Sequence, residues 1–109
     1  MRFTSAEKEI LLLLAARAIA ETVDSGFMTP DDLPELTDNL RKRCGVFVSL
    51  YVDQELRGCI GTFSEEKPLF LNVETMAVSA ATEDSRFRPV RAEELGRLEL
   101  EISVLTPKK

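Results

Sequence analysis

With 109 residues the chain has room for one hydrophobic core and therefore for one domain. Apolar residues make up 44% and charged residues 30%, an ordinary globular mix, and a net charge of −5 argues against bulk nucleic-acid binding, which needs a basic surface. There is no histidine, which excludes His-dependent triads, His-ligated metal centres and imidazole acid–base chemistry. No metal and no cofactor is expected.

The first predicted element follows Thr4-Ser5-Ala6-Glu7, which has the form of a capping box. A helix is expected over about 5–25. Ile10, Leu13, Leu14 and Ala18 share one side of it and Leu11, Ala15, Ile19 and Val23 another, so the apolar surface is wider than one stripe and the helix should be largely buried. Ala18-Ile19-Ala20 imitates a signal-peptidase site. However, Glu7 and Glu9 offset Arg2 and Lys8, Arg17 interrupts the apolar run, and the run is too short for a membrane span. Gly26 is a natural helix terminator. Residues 27–44, broken by Pro30 and Pro34, read as a linker with short helical turns.

From Gly45 the period changes to two. Val46, Val48, Leu50 and Val52 alternate with Phe47, Ser49 and Tyr51, Asp53-Gln54-Glu55 reads as a polar turn, and a second strand begins at Leu56, giving a hairpin over about 45–63. Pro68 opens a helix over about 68–83, with Leu69, Val73, Met76, Ala77, Ala80 and Ala81 at helical spacing. Residues 84–90 form a loop and 92–95 a helical turn. Over about 97–105, Leu98, Leu100, Ile102 and Val104 alternate with Glu99, Glu101 and Ser103 as in a half-buried strand. The expected class is α+β, an antiparallel sheet flanked by helices. Cys44 and Cys59, in a chain with no secretory signal, fit free thiols and a cytoplasmic setting.

Four stretches, in order, resemble the AMMECR domain family: Gly45-Val46-Phe47-Val48-Ser49-Leu50, Leu56-Arg57-Gly58-Cys59-Ile60-Gly61-Thr62, Asp84-Ser85-Arg86-Phe87-Arg88-Pro89-Val90 and Leu100-Glu101-Ile102-Ser103-Val104-Leu105-Thr106-Pro107. The family is named for the human Alport syndrome, mental retardation, midface hypoplasia and elliptocytosis chromosomal region, and Leu-Arg-Gly-Cys-Ile-Gly is its signature. The resemblance implies an α+β fold of unsettled activity and a pathway link to Memo-like and radical-SAM proteins. It also implies that 1–109 is a single domain matching the amino-terminal part of a longer family domain. A shortened sheet would expose an edge, which favours self-association.

Strand parity places the candidate site. Leu56, Gly58, Ile60 and Thr62 should face the core, leaving Arg57 and Cys59 on a polar face with Ser49, Glu99, Glu101 and Ser103 if the apolar faces align. Two readings of this face stand side by side. In one, Arg57 favours the thiolate of Cys59, a nucleophile with Glu101 as proton acceptor and glycine-flanked N–H groups near an oxyanion. In the other, Cys59 is a small hydrophobe beside an ion pair of Arg57 with Glu101 or Glu99. Gly58 and Gly61 admit either a ligand or the alanine-rich helix.

The second half of the chain is the less acidic, with 8 basic and 9 acidic residues over 56–109 against 6 and 10 over 1–55. An anion-binding surface is expected there, with Arg57, Arg86, Arg88 and Arg91 forming a pocket of planar donors. Alternatively, Asp84 and Arg86 lock the loop while Phe87 plugs the core. The leading functional expectation is a binding domain for a small anionic ligand or a partner segment, lined by Arg57, Gly58, Gly61, Arg86, Arg88 and Ser103. Alternatives are a Cys59 enzyme acting on a small or nucleoside-type substrate and an interaction module without a pocket.

Overall fold

A computed structural model of the chain describes residues 2–24 and 35–106. Gly26, Pro30 and Pro34, expected to end the first helix and break the linker, lie outside the described residues. The fold is α+β, as the alternation of periods implied: a three-stranded antiparallel sheet with helices on one face.

Helix α1, Ser5–Val23, starts at the capping box, with Glu7 N–H donating to Thr4 Oγ1 at 3.0 Å and Thr4 N–H to Glu7 Oε1 at 2.9 Å. Glu7 has a second duty that its spacing did not reveal. Its carboxylate also accepts from the Thr37 hydroxyl and from Asn39 Nδ2, which pins the start of α1 to the one-turn helix α2, Asp38–Arg41. These donors, Thr37 foremost, hold the Glu7 carboxyl below its usual range.

Strand β1, Gly45–Val52, lies between β2, Glu55–Thr62, and β3, Leu98–Leu105. The β1–β2 connection is a two-residue turn, not the three-residue one expected. Asp53 and Gln54 both have positive φ, 50° and 70°, the backbone that matches the twist of two joined strands, and Glu55 already pairs with Val52. Val46, Val48 and Leu50 are fully buried beneath helix α3, Leu69–Thr82. The predicted small residues Ala77, Ala80 and Ala81 are buried on that helix. So is Asn72, whose Nδ2 donates to Cys44 O at 2.9 Å and ties α3 to the start of β1. Helix α1 packs on α3 and on β3, and with α3 completes the helical layer. The opposite face of the sheet is covered by no helix among the described residues.

Candidate functional site

The register confirms that the apolar faces of the three strands align. Val48 stands opposite Ile60 and Ile102, and Ser49 opposite Cys59 and Glu101. The polar face therefore carries the row Cys59–Ser49–Glu101, with the row Gly61–Phe47–Ser103 beside it. Ser49 Oγ donates to Cys59 Sγ at 3.2 Å. Glu101 is two strand spacings from Cys59, roughly 10 Å, which is beyond direct proton transfer. Glu99, Glu101 and Ser103 are exposed, and Cys59 is half-buried.

The two glycines serve packing on opposite faces. A Cβ on Gly58 would fall inside the Ala80 carbonyl, so its absence lets α3 lie against the sheet; a Cβ on Gly61 would strike the Phe47 ring. The Phe47 ring in turn meets Phe63 edge-on, with centroids 5.5 Å apart.

Simple parity fails at Leu56 because β2 bulges. Gly58 pairs with Leu50 and Leu56 with Tyr51, which leaves Arg57 as the unpaired extra residue and turns Leu56 away from the core. The bulge directs Arg57 along the outer edge of β2. Its Nε and Nη2 form a two-bond fork to Glu94, both at 2.9 Å, and the guanidinium also donates to the carbonyls of Arg88 at 2.6 Å and Pro89 at 3.2 Å. The carboxylate partner of Arg57 is thus Glu94, not Glu99 or Glu101. Glu94 sits in the 3₁₀ turn Ala92–Arg97 and also accepts the Arg91 N–H at 3.0 Å. Arg57, first, and the Arg91 N–H hold its carboxyl below the usual range. A glutamate three residues after Arg91, at the start of a predicted helical turn, was the signal available for it in the sequence.

Farther along the same edge, Asp84 and Arg86 stand in for a neighbouring strand. Asp84 Oδ2 accepts the Cys59 N–H at 3.0 Å, and Arg86 Nη2 donates to Cys59 O at 3.4 Å. The two side chains are themselves joined by a fork, at 3.0 Å through Nε and 2.7 Å through Nη2. Arg86, then the Cys59 N–H, keep the Asp84 carboxyl well below its usual range, and Asp84 raises the Arg86 guanidinium in return. This geometry commits Arg86 to the loop. The residue that plugs the core is Val90, buried and bonded to Ala81 O at 2.8 Å; Phe87 is only half-buried, with the Arg86 guanidinium 5.3 Å above its ring.

Between this loop and the 3₁₀ turn lies an open depression of about 440 Å³ lined by Arg57, Arg88, Arg91, Arg97, Glu93 and Glu94. Arg97 is paired with Asp53 at 2.9 Å, and that pair is exposed. Arg88 and Arg91 are exposed and form no salt bridge among the described residues. The depression gathers Arg57 and Arg88 but not Cys59, Glu101, Gly58, Gly61 or Ser103. Among the described residues no three of Cys, Asp and Glu converge as a metal site, and no helix is long and apolar enough to cross a membrane.

Residues 12–109 match the AMMECR1 family model. A protein of Methanothermobacter thermautotrophicus is 45% identical over 103 residues, a match covering 93% of this chain and 52% of the relative. The Methanopyrus kandleri protein MK0488 is 43% identical, over 99% of this chain and 53% of its own length. The crystal structure of the uncharacterized protein PH0010 from Pyrococcus horikoshii superposes with a TM-score of 0.75 at 40% identity, covering 91% of this chain and 51% of that one. The chain spans about half the length of the relatives it matches.

Proposed function

The chain belongs to the AMMECR1 family, and from that premise we propose that it is a binding domain whose anion site is the arginine depression beside the β2 bulge. The observation that supports the reading is the convergence of four guanidinium groups, against two carboxylates, on one open depression of a chain whose net charge is −5. Their roles differ. Arg57 spends its donors on Glu94 and the 88–89 carbonyls and so shapes the rim, while Arg88 and Arg91 keep donors free for a carboxylate or phosphate. Of the pocket expected from the sequence, Arg57, Arg88 and Arg91 line the depression, whereas Arg86, Gly58, Gly61 and Ser103 do not.

Titrating the chain with inorganic phosphate and with citrate, followed by guanidinium NMR resonances, tests this. Selective shifts of Arg88 and Arg91 are expected. The double variant Arg88→Ala/Arg91→Ala should weaken binding at least about tenfold, the worth of one or two charge-assisted bonds, and Cys59→Ser should leave it unchanged. Equal binding by the double variant and the parent would sink the proposal.

The thiolate reading of Cys59 is favoured by one contact, the Ser49 hydroxyl donating to its sulfur. Alkylation of Cys59 by iodoacetamide at neutral pH, compared with a free cysteine, tests it. A faster reaction that slows in Ser49→Ala supports a nucleophile, whereas a rate at or below that of free cysteine removes it.

A further inference from the structure

The four arginines lining the depression differ in how firmly they are held. Arg57 is locked, its side chain only 20% exposed and its guanidinium committed to Glu94 and two backbone carbonyls. Arg88 and Arg91 are exposed and form no salt bridge among the described residues. Arg97 is intermediate. Its Nη1 donates to Asp53 Oδ2 at 2.9 Å, with the arginine side chain 55% and the aspartate side chain 70% exposed. A single-bond pair so open to water contributes little, since water screens the charges and both side chains give up rotamer freedom to meet. Arg97 is therefore tethered, not fixed, in the wall of a depression where two guanidinium groups are already free.

Charge narrows the ligand. The Arg57 fork neutralises Glu94, which leaves Glu93 as the other carboxylate of the lining. While Asp53 holds Arg97, Arg88 and Arg91 exceed Glu93 by a single positive charge; with Asp53 displaced the surplus is two. The volume of about 440 Å³ falls in the range of sites for small organic ligands, above the need of a lone inorganic ion.

Building on the anion-binding reading above, we infer that the depression takes a small anion with two anionic heads, the first held by Arg88 and Arg91 and the second by Arg97, with Asp53 as the built-in competitor that the second head displaces. The exchange breaks one exposed ion pair and forms another, and the second head arrives already tethered by the first. A single-headed anion leaves Arg97 on Asp53. Asp53 thus sets a threshold that favours two-headed ligands over one-headed ones. It is also the first residue of the β1–β2 turn, so the bound ligand unties the tip of the hairpin from the 3₁₀ turn Ala92–Arg97.

The test titrates the chain with inorganic phosphate, which has one head, and with pyrophosphate and succinate, which have two, followed by the arginine Nε–Hε resonances. Whichever of pyrophosphate and succinate binds more tightly identifies the head group as phosphate or carboxylate. Phosphate should shift Arg88 and Arg91, and the two-headed anions Arg97 as well. Arg97→Gln should weaken the two-headed anions at least about fivefold and phosphate less than about twofold. Asp53→Asn removes the competing charge while keeping a residue that tolerates the positive φ of 50°. It should tighten the two-headed anions about threefold. Glu9→Gln makes the same change of charge at an exposed position outside the depression and should tighten nothing. Arg97 and Asp53 are exposed, so both variants are compatible with folding, which circular dichroism checks. The inference is overturned if Arg97→Gln binds the two-headed anions as the parent does, or if Asp53→Asn gains no more than Glu9→Gln. Either result leaves phosphate bound through Arg88 and Arg91 and spares the anion site itself. Phosphate binding that ignores Arg88→Ala/Arg91→Ala removes the site and this inference together.

Discussion

Along β2 the outward peptide groups of Cys59 meet the Asp84 carboxylate and the Arg86 guanidinium, and Arg57 binds the loop beyond. Along β3 no such partner stands among the described residues. Both are edge strands of one sheet with the same need to satisfy or hide their backbone. The β2 edge is closed by charged side chains that leave two arginines of the same segment free in solvent, which is how an acidic chain comes to carry a basic depression. The β3 edge keeps apolar surface beside it and guards itself only with Glu99 and Glu101. The first edge offers two free guanidinium groups to solvent, and the second offers bare backbone beside apolar side chains.

The contrast can be broken most severely from inside β2. Gly58→Ala drives a methyl into the Ala80 carbonyl and should cost about 3 kcal/mol in denaturant unfolding, because backbone must move. Asp84→Ala should follow, lowering Tm by roughly 10 °C, since it strips the Cys59 N–H and Arg86 of their shared acceptor. Arg57→Ala should cost about 2 kcal/mol by leaving half-buried Glu94 unpaired, and Arg57→Lys should recover less than half of that because an ammonium lacks the fork.

The acid limb of stability sharpens the same point. Asp84 and Glu94 have carboxyls lowered in the folded state, so their contribution is complete above the ordinary carboxylate range, about pH 4, and is lost as pH falls through their depressed values. Asp84→Ala should therefore show a shallower loss of stability below about pH 4 than the parent. At the other edge Glu101→Ala should change stability by no more than about 0.5 kcal/mol, because the side chain is exposed and without an ion-pair partner among the described residues.

How much of this was legible differs by element. The alternation from Leu98 to Val104 and the helical spacing of Leu69, Val73 and Ala77 announce their structures because period alone decides which face is buried. Alignment of the polar rows follows once one face of each strand is apolar. The bulge at Arg57 was hidden, since an extra residue on one strand alters only the pairing and leaves no mark on local composition. The partners Glu94 for Arg57, and Thr37 and Asn39 for Glu7, depend on where loops return, and each lies at least 30 residues away from its mate. Val90 displaced Phe87 as the core residue for a similar reason. The turn after Asp84 bonds Phe87 N–H to Asp84 O at 3.0 Å and leaves the aromatic ring beneath Arg86 instead of under the sheet.

Site-resolved hydrogen exchange of the two edges tests the contrast most directly. The Cys59 amide should be protected to nearly the level of the central strand β1 and lose that protection in Asp84→Ala, while the amides of β3 that do not bond to β1 exchange freely in both proteins. A Cys59 amide that exchanges as fast as those of β3, or that stays protected without Asp84, would contradict the account.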